Sequence, residues 1–370
     1  MSTRPVGMGV VGAGAIGIRA ALTHLSLPDV QDRVRLAAVC DPAPGRARAA
    51  AEKYGVPRWY EDFGSLLADE GVDSVTLCSP IGLHYEQGLA AIEAGKHVHF
   101  NKTMALTVEE CDDLISRAAQ RRVRLVASPG MMLYPHNQRL RARLREGAIG
   151  RVLWAIAGVG SVGSYHLQEE FRAGNDVLTQ VDPTWYFRRP GGGPMWDVVV
   201  YCLHNLTGLL GPVRRVAAMS GLALPRREYA GGVIECDMDD STFLILELDE
   251  AVYSLVYGTV EGTVVSWFQP TIFGTAGSVV GTELNGEEMR REGDRLPHVV
   301  GEHARLPESH VFEDMMQLVD WVREGIPSIA SAEHARHVID IIESGYRAAE
   351  TGCTQDLRTT LAVDEADGSA

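Results

Sequence analysis

The sequence lacks any apolar run long enough to cross a bilayer, and its start shows no charged region followed by an apolar core. We therefore expect a cytoplasmic protein that neither spans a membrane nor is secreted. Its six cysteines include no CxxC pair, which argues against a disulfide framework and favours reduced thiols in a reducing compartment. Internal repeats and low-complexity segments are also missing.

Positive charge is scarce, with 34 basic residues against 49 acidic ones and a formal net charge of -15. A field of that sign repels phosphate backbones and anionic lipid, so nucleic acid and membrane surfaces are not expected as partners. A small anionic substrate stays possible because local arginines act at short range. The 370 residues, 45% of them hydrophobic, are enough for two domains with separate cores.

The first part of the chain alternates short apolar runs with amphipathic segments. The predicted strands are Gly7–Val11, Val34–Cys40, Asp73–Cys78, His97–Phe100 and Arg124–Ala127. The predicted helices between and after them are Ala15–Leu27, Gly45–Tyr54, Leu83–Ala94 and Val108–Arg121, the last with a capping box of Thr107 and Glu110. This alternation predicts an α/β fold, a Rossmann domain over residues 1–128 with a doubly wound parallel sheet.

The sequence pattern changes after about residue 150, where apolar runs follow one another with only turns between them. The predicted strands are Arg151–Val159, Val213–Met219, Ser241–Leu248, Val252–Val260 and Val264–Phe273. Helices are predicted at Asp197–Leu210, His310–Glu324 and Ser331–Glu350. We expect an α+β substrate and oligomerisation domain over residues 129–363, with an open, mostly antiparallel sheet. Its closing helix, 331–350, is a candidate to pack back on the Rossmann domain, and residues 364–370 form a tail.

A glycine-rich turn follows the first predicted strand. Gly12, Gly14 and Gly17 form GxGxxG, with Ala15 and Ile16 at the start of the next helix. The glycines permit a tight turn, close approach of a pyrophosphate, and packing of helix on strand, while the helix N-terminus offers free N–H groups. Strand before and helix after make this a dinucleotide-binding turn rather than an ordinary glycine loop.

Asp41 ends the second predicted strand, where a carboxylate would accept hydrogen bonds from the adenosine ribose. It would repel a 2′-phosphate, so we expect NAD, with NADP less favoured. The alternative is a turn or helix-capping aspartate before Pro42. Arg46, close by in sequence, weakens the preference for NAD.

Several motifs in a fixed order resemble one family. Ser79, Pro80 and His84 follow one strand, Asn101-Lys102-Thr103 follows the next, and Gly191-Gly192-Gly193 precedes Asp197 and Tyr201. In that order they resemble the glucose–fructose oxidoreductase / inositol dehydrogenase / MocA (Gfo/Idh/MocA) family over nearly the whole chain.

The resemblance implies hydride exchange between a nicotinamide and a carbinol carbon of a sugar, cyclitol or glycoside. It also implies homo-oligomers, as dimers or tetramers, packed through the second domain's sheet. Lys102 takes the place of the family's lysine at the reacting hydroxyl, and Ser79, Pro80, His84 and Asn101 stand in its cofactor-binding motifs.

The chain departs from the family pattern in two places. Asn101 and Thr103 stand where a glutamate and a proline are common, so the cis peptide often found there is not expected. Tyr201 stands where many members have a histidine, and His204 is additional.

The helix predicted over Asp197–Leu210 carries a polar stripe on an apolar helix. At helical spacing Asp197, Tyr201 and His204 fall within roughly 60° of one another. Perturbed acids and bases cluster at sites, so we assign this stripe to the active site instead of a solvent-exposed face. The roles are Lys102 as general base or its electrostatic partner, Tyr201 as proton relay, Asp197 as orienting group, and His204 as a secondary contact.

Residues 161–190 read as a long irregular loop, which in a compact domain is usually functional. Besides Tyr165, His166 and Tyr186, this loop holds Trp185, which could stack on a sugar face, and Arg188 and Arg189, which could take an anionic group or only tie down the loop. Tyr134 and His136, after the last predicted strand of the Rossmann pattern, are further substrate-binding candidates.

No metal site is expected. His97 and His99 point to the same side of one strand, but no ligand spacing supports them, and packing or hydrogen bonding is the favoured role. The acidic turn of Glu235, Asp237, Asp239 and Asp240 lacks calcium-loop spacing.

Three functions remain in competition. The leading one is an NAD-dependent sugar-type dehydrogenase with Lys102 and Tyr201 as its acid–base pair. The alternative is an NAD-dependent glycoside hydrolase that oxidises C3 transiently and then eliminates the leaving group, for which His204 would supply a further base. A non-catalytic NAD-binding regulator is third, disfavoured because Lys102, Asp197 and Tyr201 are all present.

Overall fold

The computed structural model describes residues 4–160, 174–229, 231–249, 251–265 and 268–361. Within these ranges the contacts form two compact units. The first comprises residues 4–129, 174–183 and 296–332, and the second comprises the remaining described residues. The predicted loop residues Tyr165 and His166 lie outside the described residues.

A six-stranded parallel sheet forms the centre of the first unit. Its strands are β1 (Val6–Val11), β2 (Val34–Cys40), β3 (Trp59–Tyr60), β4 (Ser74–Leu77), β5 (His97–Phe100) and β6 (Leu125–Ala127). They are ordered β3-β2-β1-β4-β5-β6, and every neighbouring pair is parallel. β1 and β4 are buried along their whole length, as expected for central strands covered on both faces. The predicted Rossmann sheet is confirmed, with the short edge strand β3 as an addition.

The seven predicted helices are present to within a few residues, two of them with π-helical stretches, whereas the helices Phe63–Leu67 and Pro135–Arg145 were not predicted. In chain order the helices are α1 (π-helical Gly17–Leu22, then Thr23–Leu25), α2 (Arg46–Tyr54), α3 (Phe63–Leu67), α4 (His84–Glu93), α5 (Val108–Arg121), α6 (Pro135–Arg145), α7 (π-helical Met195–Val199, then Val200–Leu210), α8 (Ser309–Glu324) and α9 (Ala332–Thr351). The capping box is present, because Thr107 accepts from the Glu110 amide and Glu110 reaches back to the Thr107 amide.

The units are discontinuous, whereas the sequence predicted a single boundary after residue 128. Helix α8 returns to the first unit because its apolar face, with Val311, Phe312 and Met315, packs against β5 and β6. Ser331 also belongs to the first unit, where it forms an isolated β-bridge with Val126 in β6. Helix α9, the predicted candidate for packing on the Rossmann domain, belongs almost entirely to the second unit.

An open nine-stranded sheet forms the centre of the second unit. Its strands in chain order are β7 (Val152–Gly160), β8 (Arg215–Gly221), β11 (Ser241–Glu247), β12 (Tyr253–Thr259), β13 (Thr271–Gly274), β14 (Gly277–Val280), β15 (Glu283–Leu284), β16 (Glu287–Glu288) and β17 (Gln355–Asp356), and β9 (Arg226–Tyr229) and β10 (Gly232–Glu235) form a separate hairpin. The order is β16-β15-β14-β13-β7-β12-β11-β8-β17; the pair β7–β12 is parallel and the other described pairs are antiparallel. The mostly antiparallel sheet is confirmed, but the strand predicted at Val264–Phe273 is limited to β13, because among the described residues pairing with β7 begins at Thr271.

Burial alternates along the central strands of this sheet. In β11, Thr242, Leu244 and Leu246 are buried, while Phe243 and Ile245 are exposed. Helix α9 covers the buried face, with Gly345 set so close to Leu244 that an added Cβ would lie 2.8 Å from its Cδ2. The opposite face carries apolar residues without cover from the described chain.

Three properties of the described residues bear on the sequence predictions. None of their helices is both long and apolar enough to span a membrane. They contain no group of three or more His, Cys, Asp or Glu side chains arranged to hold a metal ion. No disulfide joins any of the six cysteines, all of which lie in the described chain; five are buried and Cys353 is exposed.

A charged histidine holds α8 to the preceding loop. His298 Nδ1 lies 2.9 Å from Glu313 Oε1, and its Nε2 lies 3.1 Å from Asp320 Oδ2. Burial opposes the imidazolium, but the bonds to Asp320 and Glu313 outweigh it and raise the pKa of His298 to about 9. A raised folded-state pKa stabilises the fold below the unfolded value of 6.5, and this contribution is lost as pH rises through about 9.

We expect His298→Gln to destabilise the protein more at pH 6 than above pH 9. The difference between the two conditions is on the order of 3 kcal/mol at most, from the size of the pKa shift. Urea unfolding of both proteins at the two pH values measures it. An equal loss at both would contradict the charged state assigned to His298.

Candidate active site

The glycine turn lies between β1 and α1, at the point where the strand order of the sheet reverses. Gly12 has φ +95°, and a Cβ there would lie 2.9 Å from the Cys78 carbonyl carbon. A Cβ at Gly17 would lie 1.8 Å from Gly12 O, so the helix packs on the turn only without a side chain. Reversal points at the carboxyl ends of the strands are where open α/β sheets hold ligands.

The middle of the turn leaves room for a phosphate. Among the described residues, the nearest atom to a Cβ built at Gly14 is Val181 Cγ1, at 3.7 Å. Helical backbone begins at Ala15 and Ile16, and the Ile18 amide donates to Gly14 O at 3.0 Å. Backbone that a ligand can approach, at the start of a helix, fits the pyrophosphate of a dinucleotide.

Asp41 is held by the same turn. Its Oδ2 accepts from the Ala13 amide at 2.8 Å, and its Oδ1 accepts from the Ala43 amide at 2.9 Å. Arg46 Nη1 lies 3.4 Å from Oδ1, and Arg46 Nε donates to Val177 O at 3.0 Å. Asp41 is only 4% exposed. The carboxylate therefore stabilises the glycine turn and also neutralises the guanidinium that lies nearest to it.

His84 joins two other turns at the same edge of the sheet. Its Nε2 lies 3.0 Å from Ser79 O, and its Nδ1 lies 2.6 Å from Thr103 O. Ser79 Oγ in turn donates to Gln87, and Pro80 precedes the short 3-10 turn Ile81–Leu83. Because His84 is 1% exposed and both nitrogens face carbonyl groups, its position favours an indirect part in the cofactor site, through Ser79.

The turn that carries Lys102 follows β5. Asn101 Oδ1 accepts from the Lys102 amide at 2.9 Å, and Thr103 Oγ1 donates to Ala105 O at 3.1 Å. The peptide between Lys102 and Thr103 is cis, so the expectation of a trans bond there was wrong. The absence of proline does not decide this turn, because hydrogen bonds from Asn101, Thr103 and His84 surround it.

A directed chain of buried hydrogen bonds ties the strand ends beneath this turn. Thr76 Oγ1 donates to His99 Nδ1 at 2.8 Å, His99 Nε2 donates to Ser128 Oγ at 2.9 Å, and Ser128 donates to Asp314. Burial and the nearby His84 lower the pKa of His99 to about 3, which matches a neutral ring with one donor and one acceptor. His99 thus takes the hydrogen-bonding role predicted for it.

Sequence reasoning missed Ser128 and Asp314. A signal for Asp314 exists, since it interrupts the apolar run Val311–Met316 of a buried helix. A carboxylate in that position needs a buried partner. The partner itself, 186 residues away, is set by tertiary packing.

In the second unit, α7 carries Asp197 and Tyr201, but with a different twist from that predicted. Asp197 lies in the π-helical stretch Met195–Val199, whose wider turns change the angle between it and Tyr201. Tyr201 is 6% exposed and stacks on Phe268, with ring centroids 4.4 Å apart. Asn205, one turn further, donates to Phe268 O at 2.9 Å and so holds the ring beneath Tyr201.

His204 lies inside the second unit, where it contacts α9. Its ring centroid lies 4.5 Å from that of His334, and His334 Nε2 is bonded to Thr207 Oγ1 at 2.8 Å. Burial, with His334 and His337 adding to it, lowers the pKa of His204 well below its usual value. The same helix is closely packed one turn further on, because a Cβ at Gly208 would lie 2.5 Å from Met132 Sδ.

His136 belongs to a polar group that includes residues not predicted from sequence. Gln269 Nε2 donates to His136 Nε2 at 3.3 Å, and Asn205 Nδ2 donates to Gln269 Oε1 at 2.9 Å. Burial, and then the charge of Arg290, lower the pKa of His136 to about 4. Tyr134 lies beside it, with ring centroids 5.3 Å apart. The structure brings these residues to the same helix, α7, that carries Tyr201.

The remaining predicted substrate residues lie on the segment before α7. Trp185 stacks on Tyr186 at 3.7 Å between centroids. Arg188 Nη1 lies 3.9 Å from Asp237 Oδ2, and the Arg189 amide donates to Asp237 Oδ1 at 2.7 Å, which supports a part in tying down the loop. Arg189 also lines a cavity of about 260 Å³ with Asp239, part of the predicted acidic turn.

Comparison with known proteins adds a family to this geometry. The model described as "Oxidoreductase family, NAD-binding Rossmann fold" matches residues 6–128, and that described as "GFO/IDH/MocA C-terminal domain" matches residues 137–280. The chain is 26% identical to D-glucoside 3-dehydrogenase of Escherichia coli strain K12, over 96% of this chain and 99% of that protein. It is 23% identical to D-xylose 1-dehydrogenase (NADP(+)) 2 of Haloferax volcanii, over 94% and 99%. A solved structure of levoglucosan dehydrogenase with NADH and L-sorbose superposes with a TM-score of 0.75 at 19% identity, covering 96% of this chain and 100% of that one.

Proposed function

Because the chain belongs to the Gfo/Idh/MocA oxidoreductase family, we propose that it transfers a hydride between NAD and a carbinol carbon of a sugar, cyclitol or glycoside, with Lys102 and Tyr201 as its acid–base pair. One observation carries the proposal. The glycine turn Gly12–Gly17 and the Lys102 turn both follow strands of one parallel sheet, at its carboxyl edge. That edge brings a dinucleotide turn and a proton-transferring group to one end of the same unit.

The nicotinamide, when bound, supplies the hydride acceptor or donor. The chain's part is to hold the substrate hydroxyl and move its proton. In this proposal the Lys102 ammonium donates a hydrogen bond to the hydroxyl oxygen and stabilises negative charge there. The Tyr201 phenol relays the proton, and the Asp197 carboxylate orients the substrate.

Glycosides are the favoured substrate class within this range. Support comes from the full-length relative named D-glucoside 3-dehydrogenase. The test is absorbance at 340 nm in a panel of free sugars, cyclitols and glycosides with NAD⁺. NADH formed in proportion to substrate consumed supports the proposal, and no net NADH from any member of the panel contradicts it.

Glycoside cleavage that needs NAD but leaves no net NADH is the outcome expected of the alternative, the hydrolase with transient C3 oxidation. The further base proposed for it was His204. Its buried contact with His334 and its lowered pKa do not favour that role. The dehydrogenase therefore remains the proposed function.

Asp41 is proposed to set the preference for NAD over NADP. Its carboxylate neutralises Arg46 and would repel a 2′-phosphate. We expect Asp41→Ser to weaken NADH binding about tenfold, through loss of charged hydrogen bonds, and to strengthen NADPH binding by a similar factor. Fluorescence titration with each nucleotide measures both constants.

A second substitution tests whether Arg46 is the group that binds the 2′-phosphate of NADPH. If Arg46, once released from Asp41, accepts the 2′-phosphate, the double variant Asp41→Ser/Arg46→Ala loses the gain for NADPH but keeps the loss for NADH. NADPH affinity unchanged in Asp41→Ser would show that this carboxylate serves only the fold of the turn.

We further propose that the chain forms a homodimer or homotetramer through the open face of the second sheet. This sheet face comprises Trp154, Met219, Phe243, Ile245, Tyr253 and Leu255. All six are more than a third exposed, from 37% for Leu255 to 78% for Met219. Ile245 pairs with Leu255 and Tyr253 pairs with Trp154, so the face is continuous across β7, β12 and β11. Contiguous apolar faces of this kind usually mark interfaces between proteins.

A further inference from the structure

His84 connects two turns that must lie at a fixed distance from each other for the proposed reaction. Ser79 belongs to the turn after β4, and Thr103 to the turn after β5. Each turn offers a backbone carbonyl to one nitrogen of the same imidazole, at 3.0 Å and 2.6 Å. Carbonyl groups only accept hydrogen bonds and a neutral imidazole carries one N–H, so the ring donates to one carbonyl while its other nitrogen contacts the second. Burial lowers the pKa of His84 and so disfavours the doubly protonated ring. Among the bonds described for this edge of the sheet, no other side chain reaches both turns.

The ring is fixed by its surroundings as well as by these bonds. His84 is 1% exposed and lies at a tilt against Phe100, with centroids 6.4 Å apart. It begins α4, so its backbone moves with that helix. Thr103 directly follows Lys102 in the chain, so a displaced Thr103 carbonyl would carry the lysine backbone with it.

We propose that His84 is a positioning residue that sets the distance between the cofactor turn at Ser79 and the lysine turn at Thr103. This rests on the proposed function, because it assigns the two turns to cofactor and lysine. His84 touches neither substrate nor reacting atoms in this role. It acts through the Ser79 carbonyl on one side and through Thr103, the neighbour of Lys102, on the other.

Two substitutions each keep a donor at one of the two contacts. The amide nitrogen of asparagine stands near the position of Nδ1, so His84→Asn keeps the donor to Thr103. That of glutamine stands near Nε2, so His84→Gln keeps the donor to Ser79. If His84 links the turns, the two variants lose different properties, whereas a packing role would make them lose the same ones.

Binding of NADH, measured by its fluorescence, reports on the Ser79 turn. We expect the dissociation constant to rise about fivefold in His84→Asn, the effect of one ordinary hydrogen bond, and to change less than about twofold in His84→Gln. This measurement needs no turnover, so it decides the proposal even if no sugar in the panel reacts.

The lysine turn has its own readout because the chain has only three lysines, Lys53, Lys96 and Lys102. Reductive ¹³C-methylation gives few NMR signals, and Lys102→Arg identifies that of Lys102. We expect the pH midpoint of this signal to move in His84→Gln and to stay at the wild-type value in His84→Asn. Where a sugar gives turnover, kcat should fall in His84→Gln with little change in NADH affinity.

The matched control is His24→Gln. His24 is another fully buried histidine of the first unit, with Nε2 2.9 Å from Pro307 O and Nδ1 2.9 Å from His303 Nδ1. It should lower the melting temperature without changing NADH affinity or the Lys102 signal. The proposal is overturned if the asparagine and glutamine variants change both readouts alike, or if neither readout changes.

Discussion

Lys102→Met is expected to lower kcat by at least about 10³-fold while changing the NADH dissociation constant by less than about threefold. Methionine keeps the length of the side chain but removes the ammonium that we propose holds the substrate oxygen. The bonds that build the glycine turn and the Asp41 contacts do not involve Lys102, so the nucleotide site should persist. Steady-state assays at 340 nm and fluorescence titration with NADH measure the two quantities.

Lys102→Arg separates proton transfer from charge. Arginine keeps the positive charge but does not release its proton in proteins. If Lys102 is the base, this variant is nearly as inactive as Lys102→Met; if Lys102 acts through its charge and Tyr201 takes the proton, part of the activity returns. Tyr201→Phe completes the set, since phenylalanine can keep the stacking on Phe268 while removing the hydroxyl.

Lys53→Met is the matched control for this series. Its ammonium lies 5.4 Å from the ring of its neighbour Tyr54, and it belongs to no turn at the carboxyl edge of the sheet. We expect wild-type kcat from it. Turnover unchanged in Lys102→Met would remove the acid–base assignment, although the family membership would stand.

Ile245→Glu should convert the proposed homo-oligomer to monomers. Ile245 is 54% exposed at the middle of the sheet face, between Ala217 and Leu255 on the neighbouring strands. Two facing copies would bury two carboxylates without partners, a cost that an apolar interface cannot offset. Light scattering after size exclusion gives the mass of the variant and of the wild type.

Ile326→Glu tests whether any added charge has this effect. Ile326 is 57% exposed but belongs to the first unit, and so is not part of the sheet face. It should leave the mass of the assembly unchanged. A wild-type protein that is monomeric at micromolar concentration, or an oligomer that survives Ile245→Glu, would rule out this face as the interface.

Local pattern determined much of the fold before any coordinates. The parallel sheet followed from alternating apolar runs and amphipathic segments. The helix Val108–Arg121 was predicted with its observed ends, and the capping box of Thr107 and Glu110 marks its start. The glycine turn was likewise predicted from its sequence pattern. The structure shows why glycine is required there, since a Cβ at Gly12 or Gly17 would collide with backbone atoms. These features depend on residues close together in the chain, and periodicity and turn chemistry report such relations directly.

The tertiary structure decided what depends on residues far apart. Periodicity placed Asp197, Tyr201 and His204 on one stripe. In the structure, the π-helical stretch changes the direction of Asp197. His204 contacts His334, 130 positions later, inside the second unit. The cis bond after Lys102 and the return of α8 to the first sheet have the same origin. In each case the outcome is set by which buried partner satisfies a polar group or covers an apolar one. That choice is made only when distant segments pack together, so a single sequence carries no local record of it.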